Sequence, residues 1–388
     1  MSEKNSYPVI LVPGILGYGE DKKFLHKTVP YFGLFSANVE KVIQSTGREA
    51  HTASFSRFSG VWERTCELYA QIKGGTVDYG ADYAEKHNIS RYGRNYPGWL
   101  PNWGEDGIKV TLIAHGFGAP VARLLTNLMA GGSAAEKAAA YDCSPLFEGG
   151  HPKAVHAVVT LAGDNDGTTL FQAINYYVPD ALKKAVKKFR KDDADEYLSQ
   201  TEGNIFYEAG LDGMAAWNRV LSPEPNTYYL ACTGEVTEDV TDKVKAKVPD
   251  TLAYILDIDK GGYRSPFAPR MKEFFHIPDL YLPTRKAGLT APTSALLAFF
   301  TNHLPENPIV GDEAKPNDGI INTNTSLAPS TEPVTGFSNT YSCYPGKWYQ
   351  MPIENRNHYS FIGLMEKPDK FRNEVLELMD LIDRLETA

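Results

Sequence analysis

The sequence predicts an α/β fold, with a mostly parallel central sheet carrying helices on both faces. Three observations predict it. Short β-branched runs alternate with stretches of helical periodicity along the chain. The runs are apolar at nearly every position, as strands are when both faces of the sheet are covered. The last stretch of the chain is strongly amphipathic, as a helix laid on such a sheet must be. The 388 residues exceed the common size of one domain, but large α/β folds often reach this length as a single unit, so one domain over 1–388 is expected.

The first strand is read at Tyr7–Val12 (YPVILV) and ends at Pro13-Gly14. Val110–Ala114 (VTLIA) is the next, followed by His115-Gly116-Phe117-Gly118 and a helix over Ala119–Ala130, where Val121, Leu124, Leu125 and Leu128 fall at helical spacing. Val155–Ala162 and Thr227–Thr233 read as further strands. Over Asp369–Leu385, Phe371, Val375, Leu378, Met379, Ile382 and Leu385 form one stripe. Two segments break the alternation, at about 169–221 and 235–304, and are expected to be helical cap insertions over one end of the sheet. Phe171, Tyr176 and Tyr177 in the first and Tyr254, Ile255 and Leu256 in the second are candidates for lining a substrate cleft or for packing the insertions down. The basic run Lys183–Lys191 (KKAVKKFRK), followed by acidic Asp192–Glu196, reads as a solvated helix face more readily than as a membrane-surface patch.

Composition narrows the function. A hydrophobic fraction of 42% and a charged fraction of 22% exclude a disordered chain. The net charge of −9 makes a nucleic-acid partner a poor expectation. No apolar run approaches the ~18 residues of a membrane span, although interfacial contact stays open. Met1–Ser6 shows no signal peptide, so either the protein stays in the cell or a leader has been removed. Cys66, Cys143, Cys232 and Cys343 lie far apart without a CxxC pair, so no zinc cluster is legible from them and disulfides are permitted but not required. No cofactor is expected.

The strongest local signal is VTLIAHGFGAPVARLL, Val110–Leu125. A buried strand turns into a helix within a few residues, with small residues, Ala114 and Gly118, at both shoulders of the turn. That is the build of a nucleophile elbow, G-x-S-x-G, in which strand and helix pass too closely for larger shoulders. Here the central residue is Gly116, which has no Oγ to attack a carbonyl but adopts the turn's backbone angles freely. Downstream, KPNDGIINT places Asp318 in a loop and NRNHYSFIG places His358 in another. The order Gly116, Asp318, His358 is the nucleophile, acid, base order of the α/β-hydrolases. There the base takes the nucleophile's proton and the acid fixes its tautomer. Pro13-Gly14-Ile15-Leu16-Gly17 follows the first strand, where the N–H of Ile15 pairs naturally with that of Phe117 as an oxyanion hole. Leu16 and His115 are further candidates for contacting substrate.

The sequence resembles the bacterial lipases of the staphylococcal and thermophilic-bacillus group over nearly its whole length. The resemblance is carried by VPGILGYGED (Val12–Asp21), Trp62–His87 with its KGGTVDYGA string, RYGRNYPG (Arg91–Gly98), the elbow, NDGTTL (Asn165–Leu170), NTYYL (Asn226–Leu230), NDGIINT and the His358 loop. It implies an α/β-hydrolase fold acting on lipid-like esters. By the same likeness the acid falls on Asp318, the base on His358, the oxyanion donors on Ile15 and Phe117, and the nucleophile position on Gly116. It also implies departures. The family's structural zinc, held by two Asp and two His, maps onto Glu63, Tyr83, Ile89 and the Glu202-Gly203 neighbourhood, which cannot form a tetrahedral site, and His87 nearby is a poor substitute. The family's calcium carboxylates fall near Ser360 and Met365, with Glu366 and Asp369 offset, so no metal is expected.

Three functions are consistent with this set. The chain is a lipase or carboxylesterase whose serine has been replaced, leaving near-background hydrolysis. Alternatively, glycine is natural, and the His358–Asp318 dyad serves as general base for an isomerisation, cyclisation or elimination next to a carbonyl. Or the fold is a non-catalytic binding module.

Overall fold

A computed structural model describes residues 6–105, 107–178, 180–188, 194–247, 280–301 and 312–386. Its centre is a parallel sheet of seven strands among the described residues. These are β1 (Val9–Val12), β2 (Ala50–Thr52), β3 (Val110–His115), β4 (Val155–Leu161), β5 (Tyr228–Cys232), β6 (Val334–Gly336) and β7 (Trp348–Gln350). Their order across the sheet is β6-β7-β5-β4-β3-β1-β2. In register, Val9 sits between Ala50 and Thr111, and Val12 lies beside Ala114. Because all strands run the same way, the loops after β1, β3 and β4 leave from one edge, where open α/β sheets build their sites.

Side chains alternate across the sheet. Ile10, Val12, Leu112 and Ala114 face a layer that includes α1 (Val61–Lys73) and α2 (Gly118–Gly131). Val9, Leu11 and Ile113 face the opposite layer. In the order used below, α3 is Leu170–Tyr177, α4 is Ala291–Phe300 and α5 is Pro368–Asp383. The predicted stripe of α5 is the one that packs: Phe371, Val375, Met379 and Ile382 are buried against the second face. Likewise Val121, Leu124, Leu125 and Leu128 of α2 are buried on the first. No helix among the described residues is long and apolar enough to cross a membrane. All four cysteines are free thiols.

The two segments that interrupt the alternation differ. In the first, the chain forms α3 and then short helices at Ala181–Lys187, Ala194–Ser199, Ile205–Glu208 and Leu211–Asn218. Ile205, Ala209, Met214 and Leu221 of its later part are buried in the same cluster as α1 and α2. In the second, Thr237–Asp239 pairs antiparallel with Tyr281–Pro283, and α4 follows. Tyr254, Ile255 and Leu256 lie outside the described residues. The basic run begins a helix that turns Val186 inward and leaves Lys184 and Lys187 exposed. Lys183 pairs with Asp195 at 2.6 Å. Part of the run, 189–191, lies outside the described residues.

A buried ion pair ties α2 to the chain before β6. Arg123 bonds Glu332 and also donates to Asn218 Oδ1 at 2.8 Å. Trp348 of β7 donates to the other oxygen of Glu332 at 2.5 Å. Removing one partner strands the other charge in the interior, which costs about 3–5 kcal/mol. Glu332→Ala is therefore expected to lower stability by that amount, read as the shift of a urea unfolding midpoint at unchanged slope.

Candidate active site

The turn after β3 has the geometry that its sequence requires. Gly116 has φ +53°, a left-handed conformation that side chains seldom adopt. Gly118 opens α2 so near β1 that a Cβ there would run into the carbonyl oxygen of Val12. The turn is pinned from behind, as the N–H of Gly116 donates to Leu161 O at 3.2 Å and the N–H of Asp164 to Gly116 O at 3.0 Å.

Asp318 and His358 meet at this turn, although they lie on separate loops. Asp318 is fully buried. Its Oδ1 accepts the N–H groups of Ile320 at 2.9 Å and Ile321 at 2.8 Å, and its Oδ2 faces His358 Nδ1 at 2.9 Å. The backbone adds a second tie, the N–H of His358 to Asp318 O at 3.0 Å. With Nδ1–H donating to the carboxylate, the other ring nitrogen is the acceptor. That nitrogen faces the turn: a Cβ at position 116 would lie 3.1 Å from His358 Nε2 and 3.3 Å from Cε1, with no other atom of the described residues outside 115–117 closer than 4 Å.

The oxyanion loop lies against the same turn. A point one bond out from the Gly14 Cα sits 3.5 Å from the Phe117 nitrogen. The N–H groups of Ile15 and Phe117 donate to no acceptor among the described residues, although buried backbone donors are nearly always paired. Leu16 follows with φ +59° and is 61% exposed.

His115, expected to contact substrate, instead turns inward. Its ring is fully buried, Nδ1 lies 2.8 Å from the Tyr31 hydroxyl, and Nε2 lies 3.1 Å from His358 O. Both nitrogens are thus used inside the protein. Burial, with the His358 ring beside it, holds its imidazole well below the usual range, so it is a neutral linker. The Tyr31 hydroxyl also accepts the N–H of Gly14 at 3.3 Å. One chain of hydrogen bonds therefore runs from the oxyanion loop through Tyr31 and His115 to the backbone of His358. Nothing in the local sequence marks Tyr31, whose partner is 84 residues away.

Two of the insertion aromatics meet neighbouring rings. Phe171 meets Phe206 with ring centroids 5.0 Å apart. Tyr176 meets Phe300 at 5.6 Å, joining α3 to α4, yet stays 57% exposed. Tyr177 lies at the end of α3, and its side chain lies outside the described residues.

At the positions matching the family's zinc ligands stands an aromatic and carboxylate cluster. Tyr83 stacks on Trp62 at 5.5 Å and meets His87 at 4.1 Å. His87 Nε2 lies 3.2 Å from Glu202, and Ile89 supplies no donor. Glu63 caps α1 through the N–H of Gly60 at 2.8 Å. No group of three metal-ligating side chains stands together among the described residues. Met365, in the region matching the calcium site, is exposed with φ +62°.

The cluster is anchored by Glu208, which accepts from the N–H of Val61 at 2.6 Å and of Gly203 at 3.0 Å. Burial pushes its carboxyl up to about 7 from an ordinary 4.5. Between those pH values the folded chain holds a proton that the unfolded chain has released. The contribution is therefore largest below about pH 4.5 and is lost as pH rises to about 7, a loss of order 3 kcal/mol. Glu208→Gln is expected to flatten the fall in thermal midpoint across that window. An unchanged slope would place the titration elsewhere.

Comparison with known proteins follows this geometry. A family profile described as "Lipase-like, C-terminal domain" matches residues 5–178. Lipase 2 of Staphylococcus aureus is 30% identical over 380 residues, covering 93% of this chain and 51% of that protein. The chain thus spans about half the length of the curated relatives it matches. Among solved structures, Staphylococcus hyicus lipase superposes with a TM-score of 0.75 at 23% identity, covering 99% of this chain and 97% of that one. EstA from Clostridium botulinum does so with a TM-score of 0.75 at 24% identity, covering 100% and 88%. These likenesses show an α/β-hydrolase-like fold.

Proposed function

Because the chain belongs to the staphylococcal-type lipases, we propose that it is an ester-recognising hydrolase scaffold whose acid, base and oxyanion hole are in place and whose nucleophile is missing. One observation carries this: His358 Nε2 lies 3.1 Å from the point where a side chain at 116 would begin. An Oγ on that carbon would fall within hydrogen-bond reach of the base. In this role His358 takes the proton, Asp318 holds its tautomer, and the N–H groups of Ile15 and Phe117 receive the negative oxygen. Without an attacking oxygen, hydrolysis by the chain stays near background. The substrate class is a lipid-like ester. The exposure of Val178, Leu289 and Phe299, on or beside the helices of the two insertions, and of Tyr176 supports reading these segments as a cap that would meet an oil–water boundary. Turnover of p-nitrophenyl butyrate by Gly116→Ser, with the unaltered chain as blank, tests the proposal.

A second role is favoured by the same open space. Among the described residues outside 115–117, no atom besides the imidazole lies within 4 Å of the missing Cβ, which supports room at Nε2 for a substrate C–H beside a carbonyl. The dyad would then remove that proton and the oxyanion hole would hold the enolate. Exchange of α-hydrogens of ethyl acetoacetate analogues in D2O, above the rate of His358→Ala, is the expected sign. Equal exchange by both proteins, with no ester turnover by Gly116→Ser, would leave the scaffold a binding module.

A further inference from the structure

Arg64, on α1, is 1% exposed, and no carboxylate lies within ion-pair distance of it among the described residues. Its Nε donates to Ser59 O at 2.9 Å and its Nη1 to Gly14 O at 3.1 Å. Ring faces stand around the rest of the guanidinium, Phe55 at 5.1 Å and Phe117 at 5.5 Å, and the Glu67 carboxylate acts on its charge from beyond ion-pair distance. Nη2 donates to no protein acceptor among the described residues. A buried guanidinium that no carboxylate touches directly is costly, and burial lowers its pKa to about 10 against the opposing pull of Glu67.

This guanidinium opens onto a cavity of about 490 Å³ beside the oxyanion loop. The walls include Leu16, Gly17 and Tyr18 of that loop, with Phe55, Tyr79 and Tyr96 opposite. The charged lining is Lys22, Arg57, Arg64 and Arg94 against Asp21 and Glu67. The two acids are already engaged. Asp21 is shared by Lys22 at 3.3 Å and Arg94 at 3.4 Å. Glu67 accepts from the N–H and hydroxyl of Ser56 at 2.9 and 2.5 Å and from Tyr79 at 3.1 Å, and burial raises its pKa. Lys22, Arg64 and Arg94 outnumber Asp21 and Glu67 in the lining by one charge, and Arg64, the deepest of these cations, keeps an N–H that no acceptor among the described residues takes.

We propose that this cavity is an anion-binding subsite in which Arg64 receives the carboxylate or phosphate of a substrate whose ester carbonyl sits in the neighbouring oxyanion hole. The inference rests on the ester-recognising role above and narrows its substrate class to esters carrying a negative group. The guanidinium fork suits a planar or tetrahedral oxyanion. The loop carrying Ile15 is joined to Arg64 through Gly14 O, so an anion in the cavity and a carbonyl in the hole lie on the two sides of one peptide.

The test uses the unaltered chain, which does not consume its ligand. Monoethyl glutarate and neutral diethyl glutarate are titrated calorimetrically at low and high salt, with inorganic phosphate as competitor. The monoester is expected to bind at least about tenfold more tightly than the diester, to weaken with salt, and to lose that advantage in Arg64→Gln. Displacement by phosphate marks a site for any oxyanion; its failure marks one that requires the carboxylate ester. Should Arg64→Gln unfold, the exposed rim variant Arg94→Gln and the salt series carry the measurement. Equal affinity for the two esters, or a monoester affinity unmoved by salt and by both variants, overturns the proposal. The ester-recognising role fails separately, by inert Gly116→Ser on the neutral p-nitrophenyl ester.

Discussion

Gly116→Ser is expected to raise p-nitrophenyl butyrate turnover by roughly 10³-fold or more, because the nucleophile of a triad acts as one unit with its base. The new Cβ would stand 3.1 Å from His358 Nε2. That is tight, so the ring must yield by a few tenths of an ångström. The serine must also hold φ near the +53° of the present glycine, a strain of about 1–3 kcal/mol. A gain in activity with a modest loss of stability is thus the expected pair, read as steady-state turnover beside a thermal melt. A folded serine variant with no turnover would mean that the dyad does not serve a hydroxyl at 116.

The parts of the site that were legible in the sequence are those tied to strand ends. Gly116 follows an apolar run, and Asp318 and His358 fall in polar loops in triad order, so position along the chain was enough to nominate them. Its place beside the elbow makes His115 a candidate for contacting substrate, but period two puts it on the face of Ile113, which looks toward α5 and the Tyr31 layer. Tyr31 and Arg64 were silent because each acts through contacts made only when distant segments close. The outer strands β2 and β6 and the inner strand β7, three residues each, are too short for an alternation pattern. The buried positions in the later part of the first insertion are hard to read for a related reason. Its helices of four to eight residues show too little of a period to reveal that Ile205 and Met214 belong to the core.

Asp318→Asn, made together with Gly116→Ser, is expected to cut kcat by roughly 10⁴-fold while leaving KM nearly unchanged. The substitution is nearly isosteric in a buried pocket. Its carbonyl oxygen can keep the N–H groups of Ile320 and Ile321, which now lie at 2.9 and 2.8 Å. The amide nitrogen then faces His358 Nδ1, where a carboxylate oxygen stands at 2.9 Å. Two donors cannot share that contact, so the imidazole moves its proton to Nε2, and the nitrogen facing position 116 can no longer accept one. The backbone bond from His358 N to Asp318 O, at 3.0 Å, is untouched, so the loop keeps its place and the loss is one of tautomer rather than of shape. ¹⁵N spectra of the ring distinguish the two, and they do so even in the glycine chain: the nitrogen carrying the proton should change from Nδ1 to Nε2. Retention of more than about a tenth of the serine variant's kcat would separate the carboxylate from the chemistry, and His358 would have to be oriented by its backbone and by His115 alone.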